Sequence, residues 1–256
     1  MRILYSIVIL TVLMILKANA FSDLNGFGKA QGYSAVLVSF EGQSLNDKAL
    51  VQVCNHCTYD LRSITLYNSA NQEIAFEIEK KFYRTPLHLG ELREFALYHL
   101  KKTYQELIDL YCIKARFISS KAAVVGTPIY FVDVNGTVQS CEISEFHKSF
   151  RFPAPNENTV ALDAMIYYGC LSIYGRSGSI IVGVEDNLVY GSNSGGSHPR
   201  EYNGKVISFA TSLHEIYNCL NSDFSLNLEL NKCILPKVGR FVPFDGGSFE
   251  SGWLLH

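Results

Sequence analysis

The stretch Cys54-Asn55-His56-Cys57 sets two thiols three positions apart around an imidazole. Such a trio can exchange disulfides, hold half a zinc site, supply the base of a hydrolase, or simply staple the chain. Exchange needs a thiolate, which N–H groups at a helix start or a protonated histidine stabilise. A structural zinc needs about four ligands. No second CxxC or HxxxH completes them, and His198 and His214 stand alone, so no metal is expected. A hydrolytic route needs a hydroxyl activated by the histidine and an acid to orient it, because an unassisted serine is a weak nucleophile.

The N-terminus places these residues in a compartment. Arg2 precedes an apolar run from Ile3 to Leu16, and Ala18-Asn19-Ala20 follows. That is the form of a secretory signal peptide cut after Ala20, and the run falls short of the roughly 20 residues of a membrane span. A secreted or periplasmic protein without a later membrane span is expected. Removing Arg2 and Lys17 from the 22 basic residues leaves 20 against 24 acidic ones, about −4, with no basic stripe. Nucleic acid is therefore excluded as a partner, since phosphate binding needs clustered cations. The 16 Phe and 15 Tyr suffice for a buried core.

All seven cysteines follow the signal sequence. In an oxidising compartment they should pair, with one left over. Cys54, Cys57, Cys219 and Cys233 are the disulfide candidates, the last two flanking a strand-like run; connectivity stays open at this level. Nothing in the chain has the pattern of a cofactor site.

Several elements must position these groups. Residues 34–40 and 49–53 are short and β-branched, and Ile74, Phe76 and Ile78 alternate with polar neighbours, so all three read as strands. Asn135-Gly136 between apolar runs predicts a hairpin, and with Thr137 it forms a glycosylation sequon. Leu89, Leu92, Ala96, Leu100, Tyr104, Leu107 and Tyr111 recur at three or four, predicting a helix over 86–111 capped by Thr85. The fold class expected is α+β, an antiparallel sheet on that one long helix with a β-rich C-terminal half, stabilised by disulfides. The proline- and asparagine-rich stretch 151–159 suggests two lobes, 21–150 and 151–256, packed as one unit behind the signal peptide 1–20. Residues 191–197, rich in Gly, Ser and Asn, read as a loop.

Two families share short motifs with the chain. Cys54-Asn55-His56-Cys57 with Val125-Gly126-Thr127-Pro128 resembles the thioredoxin-like oxidoreductases of bacterial export. That resemblance implies Cys54 as nucleophile, Cys57 as resolving thiol and Pro128 as a cis-proline facing them. His56-Cys57 with Ser192-Asn193-Ser194-Gly195-Gly196 resembles the His-Cys pair and Gly-Asp-Ser-Gly-Gly loop of trypsin-like serine proteases. That one implies Ser194 as nucleophile, His56 as base and Asp109 as orienting acid, although Ser192 stands where the family has its oxyanion-hole glycine.

The two resemblances give His56 and Cys57 incompatible roles. The expectation from sequence is accordingly an exported, disulfide-stabilised protein acting by binding a protein or small molecule, a secreted effector, with its oligomeric state open. Thiol–disulfide exchange at Cys54 and Cys57 is the first enzymatic alternative, and serine hydrolysis by Ser194 and His56 the second.

Overall fold

A computed structural model describes residues 24–58, 60–85, 91–92, 95–151, 160–170, 176–197, 207–235 and 253–255. The signal peptide expected over 1–20 lies outside these residues. Within them, no helix is long and apolar enough to cross a membrane.

The first half is built from strands β1 (Phe27–Ala30), β2 (Tyr33–Ser39), β3 (Lys48–Val53), β4 (Ser63–Tyr67), β5 (Glu73–Arg84), β6 (Glu91–Leu92) and β7 (Ala96–Thr103). Six of them hydrogen-bond in the order β1-β4-β5-β7-β3-β2, and the β1–β2 pairing closes the ring. The result is a six-stranded barrel, which leaves no free edge along the closure. Ala35, Leu37, Val51, Val53, Ile64, Leu66, Phe76, Ala96, Tyr98 and Leu100 fill its interior. The alternate residues Val36, Val38, Leu50 and Leu97 point the other way, as the period of two requires.

The helix expected over 86–111 is corrected. Among the described residues of that range, Glu91–Leu92 and Ala96–Thr103 are strands β6 and β7, and only Tyr104–Tyr111 is helical, as α1. Its cap is Thr103, whose hydroxyl accepts from the Glu106 N–H while Glu106 reaches back to the Thr103 N–H. Spacing misled because β7 is buried on both faces: Ala96, Tyr98 and Leu100 face the barrel interior while Phe95 and Leu97 face the second barrel. A strand buried twice reads as a continuous apolar run, and the run continues into the inward face of α1.

The second half holds β8 (Arg116–Phe117), which returns to β2, then β9 (Pro128–Val132), β10 (Val138–Arg151), β11 (Val160–Tyr168), β12 (Ile180–Gly183), β13 (Val189–Ser197) and β14 (Ile207–Ser212). The order β10-β9-β12-β13-β14-β11, closed by β10–β11, is a second six-stranded barrel around Ile129, Phe131, Ile143, Met165, Tyr167 and Ile181. The α+β expectation is thereby overturned: the chain is a pair of antiparallel barrels with little helix. The boundary expected at 150/151 falls at the last residues of β10, which pair with β11 in the same barrel, and residues 152–159 lie outside the described set. Residues 191–197, expected as a loop, form most of β13. Gly, Ser and Asn have little intrinsic strand preference; pairing along both edges imposes the extended form.

Between the barrels lies a shared apolar layer, in which Val36, Val38, Leu50 and Leu97 meet Val132, Ile180, Val182 and Val189. A last short strand, β15 (Trp253–Leu255), pairs antiparallel with β13.

Candidate functional site

At one end of the inter-barrel layer the contacts turn polar. Gln52 of β3 donates through Nε2 to Ser192 Oγ of β13 at 2.7 Å, and Ser179 Oγ donates to Ser34 Oγ of β2 at 3.0 Å. All four residues are buried. The cross-seam bonds satisfy the Gln52 amide N–H and the serine hydroxyls, as burial of such groups requires, while Gln52 Oε1 has no hydrogen-bond partner among the described residues.

On the first barrel's side the seam carries Cys54–Thr58, the turn that leaves β3. Cys54 and Cys57 are joined as a disulfide. Thr58 Oγ1 donates to the Cys54 carbonyl at 2.8 Å, closing the turn. Asn55 is buried and pinned: its Nδ2 donates to the Thr85 carbonyl at 2.6 Å and to Thr85 Oγ1 at 2.8 Å, while Arg84 donates to its Oδ1 and its carbonyl. Thr85 in turn donates to the carbonyl of Phe95 at 3.0 Å. His56 is half-buried, with Cys54 Sγ 3.3 Å from Nδ1 and Cys57 Sγ 3.5 Å from Nε2. These three side chains bring their ligand atoms within 4.8 Å of one another. With the sulfurs joined to each other, however, neither offers the thiolate that a metal takes.

The facing turn of the second barrel is Arg176-Ser177-Gly178-Ser179. Ser179 N–H bonds the Arg176 carbonyl at 3.0 Å, and Gly178 takes φ +80°. Asn193 of β13 holds this turn from behind, accepting from Gly178 N–H, donating to the Ser179 carbonyl and donating through Nδ2 to the Arg176 carbonyl. Asn193 is itself fixed by the Tyr167 hydroxyl. The Arg176 guanidinium is buried over the Phe131 ring and beside Asp133, with Nε 3.4 Å from Oδ2. In the middle of this rigid turn Ser177 Oγ is buried and has no hydrogen-bond partner among the described residues. A hydroxyl left in that state costs about 1–3 kcal/mol.

Gly178 brings the two turns together. A Cβ at this position would lie 2.6 Å from the Cys54 nitrogen, 2.7 Å from the Ser34 carbonyl oxygen and 3.0 Å from the Cys54 Cβ. Only a glycine permits that approach, and it sets the residue after Ser177 against the residue two before His56.

The residues expected from sequence fall differently. Ser194 is fully buried within β13; its hydroxyl donates to the Ser192 carbonyl and shares a 3.0 Å bond with Thr211 of β14. Asp109 is exposed on α1, its carboxylate taken by Gln105 Nε2 at 2.8 Å. Pro128 opens β9 in the second barrel, opposite Glu142, with its carbonyl accepting from Val184 N–H. The roles given to Cys54, Cys57 and Pro128 by the thioredoxin-like resemblance thus lose the frame they depended on. Cys219 is joined to Cys233, Cys141 to Cys170, and Cys112 is the free thiol, exposed.

Sequence reading passed over Ser177. Yet Gly175-Arg176-Ser177-Gly178-Ser179 matches Gly-Asp-Ser-Gly-Gly at its first glycine, its serine and its second glycine. It thereby supplies the first glycine, which the Ser194 motif replaces with Ser192.

Solved structures share this architecture. The protease domain of MamO from Magnetospirillum magneticum superposes with a TM-score of 0.52 at 14% identity, covering 78% of this chain and 98% of that one. Neuropsin, a serine protease expressed in the limbic system of mouse brain, gives 0.51 at 15% identity, covering 75% and 90%. No protein-family profile matches the sequence, and no curated protein matches it. The fold is the chymotrypsin-like pair of six-stranded barrels. That finding overturns the expectation of a non-enzymatic binding protein, because the frame is the one shared by the MamO protease domain and the serine protease neuropsin.

Proposed function

We propose that this chain is an exported serine hydrolase that cleaves peptides, with Ser177 as nucleophile and His56 as general base. The observation that carries the reading is the unpartnered Ser177 hydroxyl, buried on a glycine-hinged turn that Gly178 presses against the Cys54–His56 turn. The proteolytic neighbours support the peptide substrate, and the three disulfides support an oxidising compartment outside the cytoplasm.

In this reading His56 accepts the Ser177 proton as Oγ attacks the scissile carbonyl carbon, and the protonated imidazole then delivers it to the leaving amine. The backbone N–H of Ser177 stabilises the oxyanion in this reading. Water, deprotonated by His56, then releases the acyl group from Ser177. The test is labelling by a fluorophosphonate, which modifies an activated serine. Label should be lost in Ser177→Ala and kept in Ser194→Ala; the reverse pattern would return the role to Ser194, and no label on either chain would end the hydrolase reading.

A further inference from the structure

Strand β13 has one edge with three successive partners along its length. From Val189 to Ser192 it pairs with β12. At Asn193 it holds the nucleophile turn, through Gly178 N–H to the Asn193 carbonyl and Asn193 N–H to the Ser179 carbonyl. Beyond that, β14 binds Gly195 and Gly196 on the opposite edge, opposite Phe209 and Ser208. The remaining edge is taken by β15, in the register Gly195↔Leu255, Gly196↔Leu254 and Ser197↔Trp253. Because the pairing is antiparallel, the Leu255 end of β15 is the end nearer Asn193 and the Ser177 turn.

An extended peptide that reaches Ser177 along the sheet needs a strand edge contiguous with that turn. Strand addition to such an edge gives affinity through main-chain hydrogen bonds and depends little on side chains. Two successive glycines place no side chain in its way. We propose that β15 is a built-in occupant of this peptide-binding edge: residues 253–255 pair where an extended substrate would pair, and hold the site closed to peptides supplied in trans until they are displaced. As a mechanism of inhibition this rests on the hydrolase reading; as occupancy of the edge it does not.

A tethered strand faces its own site at an effective concentration on the order of millimolar, so a competing peptide of micromolar affinity should be weakened at least about tenfold. Both barrels close without β15, so shortening the chain spares them. The experiment uses Ser177→Ala chains, which cannot turn over, and a labelled synthetic peptide of residues 249–256. The chain lacking residues 253–256 should bind the peptide saturably, and the full-length chain at least about tenfold more weakly. The full-length double variant Leu254→Pro/Leu255→Pro should bind like the shortened one. Alternate residues of an edge strand donate to the partner, so one of the two prolines must remove a ladder bond. Equal binding by all three chains, or none by the shortened and proline chains, overturns the proposal. With Ser177 intact, the shortened chain should also cleave a peptide substrate at least about tenfold faster in kcat/KM. If fluorophosphonate labels no chain, the hydrolase reading falls alone and the binding titration still decides the occupancy of the edge.

Discussion

Gly178 and Cys54 are in backbone contact: a methyl group on the one would sit 2.6 Å from the nitrogen of the other. Through this single approach the second barrel delivers Ser177 to the turn that carries His56. Gly178→Ala should therefore be doubly unfavourable, combining a side chain at φ +80° with a clash against backbone that cannot rotate away. Gly169→Ala provides the comparison, because φ is +84° there but nothing lies within 4 Å. Urea denaturation should show a loss of about 1 kcal/mol for Gly169→Ala, and a clearly larger one for Gly178→Ala. Peptide cleavage should fall sharply only in the Gly178 variant. Equal losses would mean that the turns tolerate separation.

Ser177 and Ser194 should respond to alanine with opposite signs. Ser177 buries an unpartnered hydroxyl, so Ser177→Ala should leave the fold as stable as before or stabilise it by about 1 kcal/mol while abolishing activity. Ser194→Ala leaves Thr211 Oγ1 without its 3.0 Å partner and should cost on the order of 1 kcal/mol with activity retained. Denaturation midpoints for the two variants, read beside their turnover, decide the matter. Destabilisation by Ser177→Ala would show that the hydroxyl is structurally engaged.

How much of this was legible beforehand depends on what each residue was asked to do. Strands β2, β3 and β5 could be read because apolar residues cluster or alternate there, and the β9–β10 hairpin because Asn135-Gly136 turns it, with Gly136 at φ +79°. The first part of the false helix over 86–111 came from β7, whose two buried faces erase the alternation that marks a strand. The loop expected over 191–197 failed for a related reason. Ser192-Asn193-Ser194-Gly195-Gly196 looks like an exposed loop by composition, yet it is an interior strand held by pairing partners more than ten residues away. The turn Arg176–Ser179, which carries the proposed nucleophile, is only four residues long. Its signal was the spacing of Gly175, Ser177 and Gly178, and Gly178 answers a steric demand that composition does not display.

The Cys54–Cys57 and Cys141–Cys170 disulfides should separate activity from stability. Chain-entropy arguments give roughly 2 kcal/mol for a closed loop of about four residues and roughly 3.6 kcal/mol for one of about thirty, and the sequence separations here are 3 and 29. Cys54→Ser/Cys57→Ser should therefore lower the denaturation midpoint less than Cys141→Ala/Cys170→Ala. It should lower turnover more, because both sulfurs flank the His56 ring and their link fixes the turn that presents it. Turnover unchanged in the first variant would show that Asn55, through Thr85 and Arg84, positions His56 unaided.

Acid should destabilise the protein through His99 and His214. Burial holds both imidazoles below their usual value of about 6.5; the Lys48 carbonyl at His99 and Asp163 near His214 only partly oppose it. A depressed basic pKa means that the unfolded chain takes up the proton first, so stability is present above about pH 6.5 and is lost as pH falls through the folded values. The His99 ring lies 3.3 Å from the Lys48 carbonyl and packs edge-to-face on Phe82; what charging it costs is the desolvation of an imidazolium in this half-buried site. His99→Gln keeps a donor for that carbonyl without a titrating group. Urea midpoints between pH 7.5 and 5 should fall less steeply in His99→Gln than in the wild type, and less steeply again when His214→Gln is added. Parallel slopes in all three chains would assign the acid sensitivity to other groups.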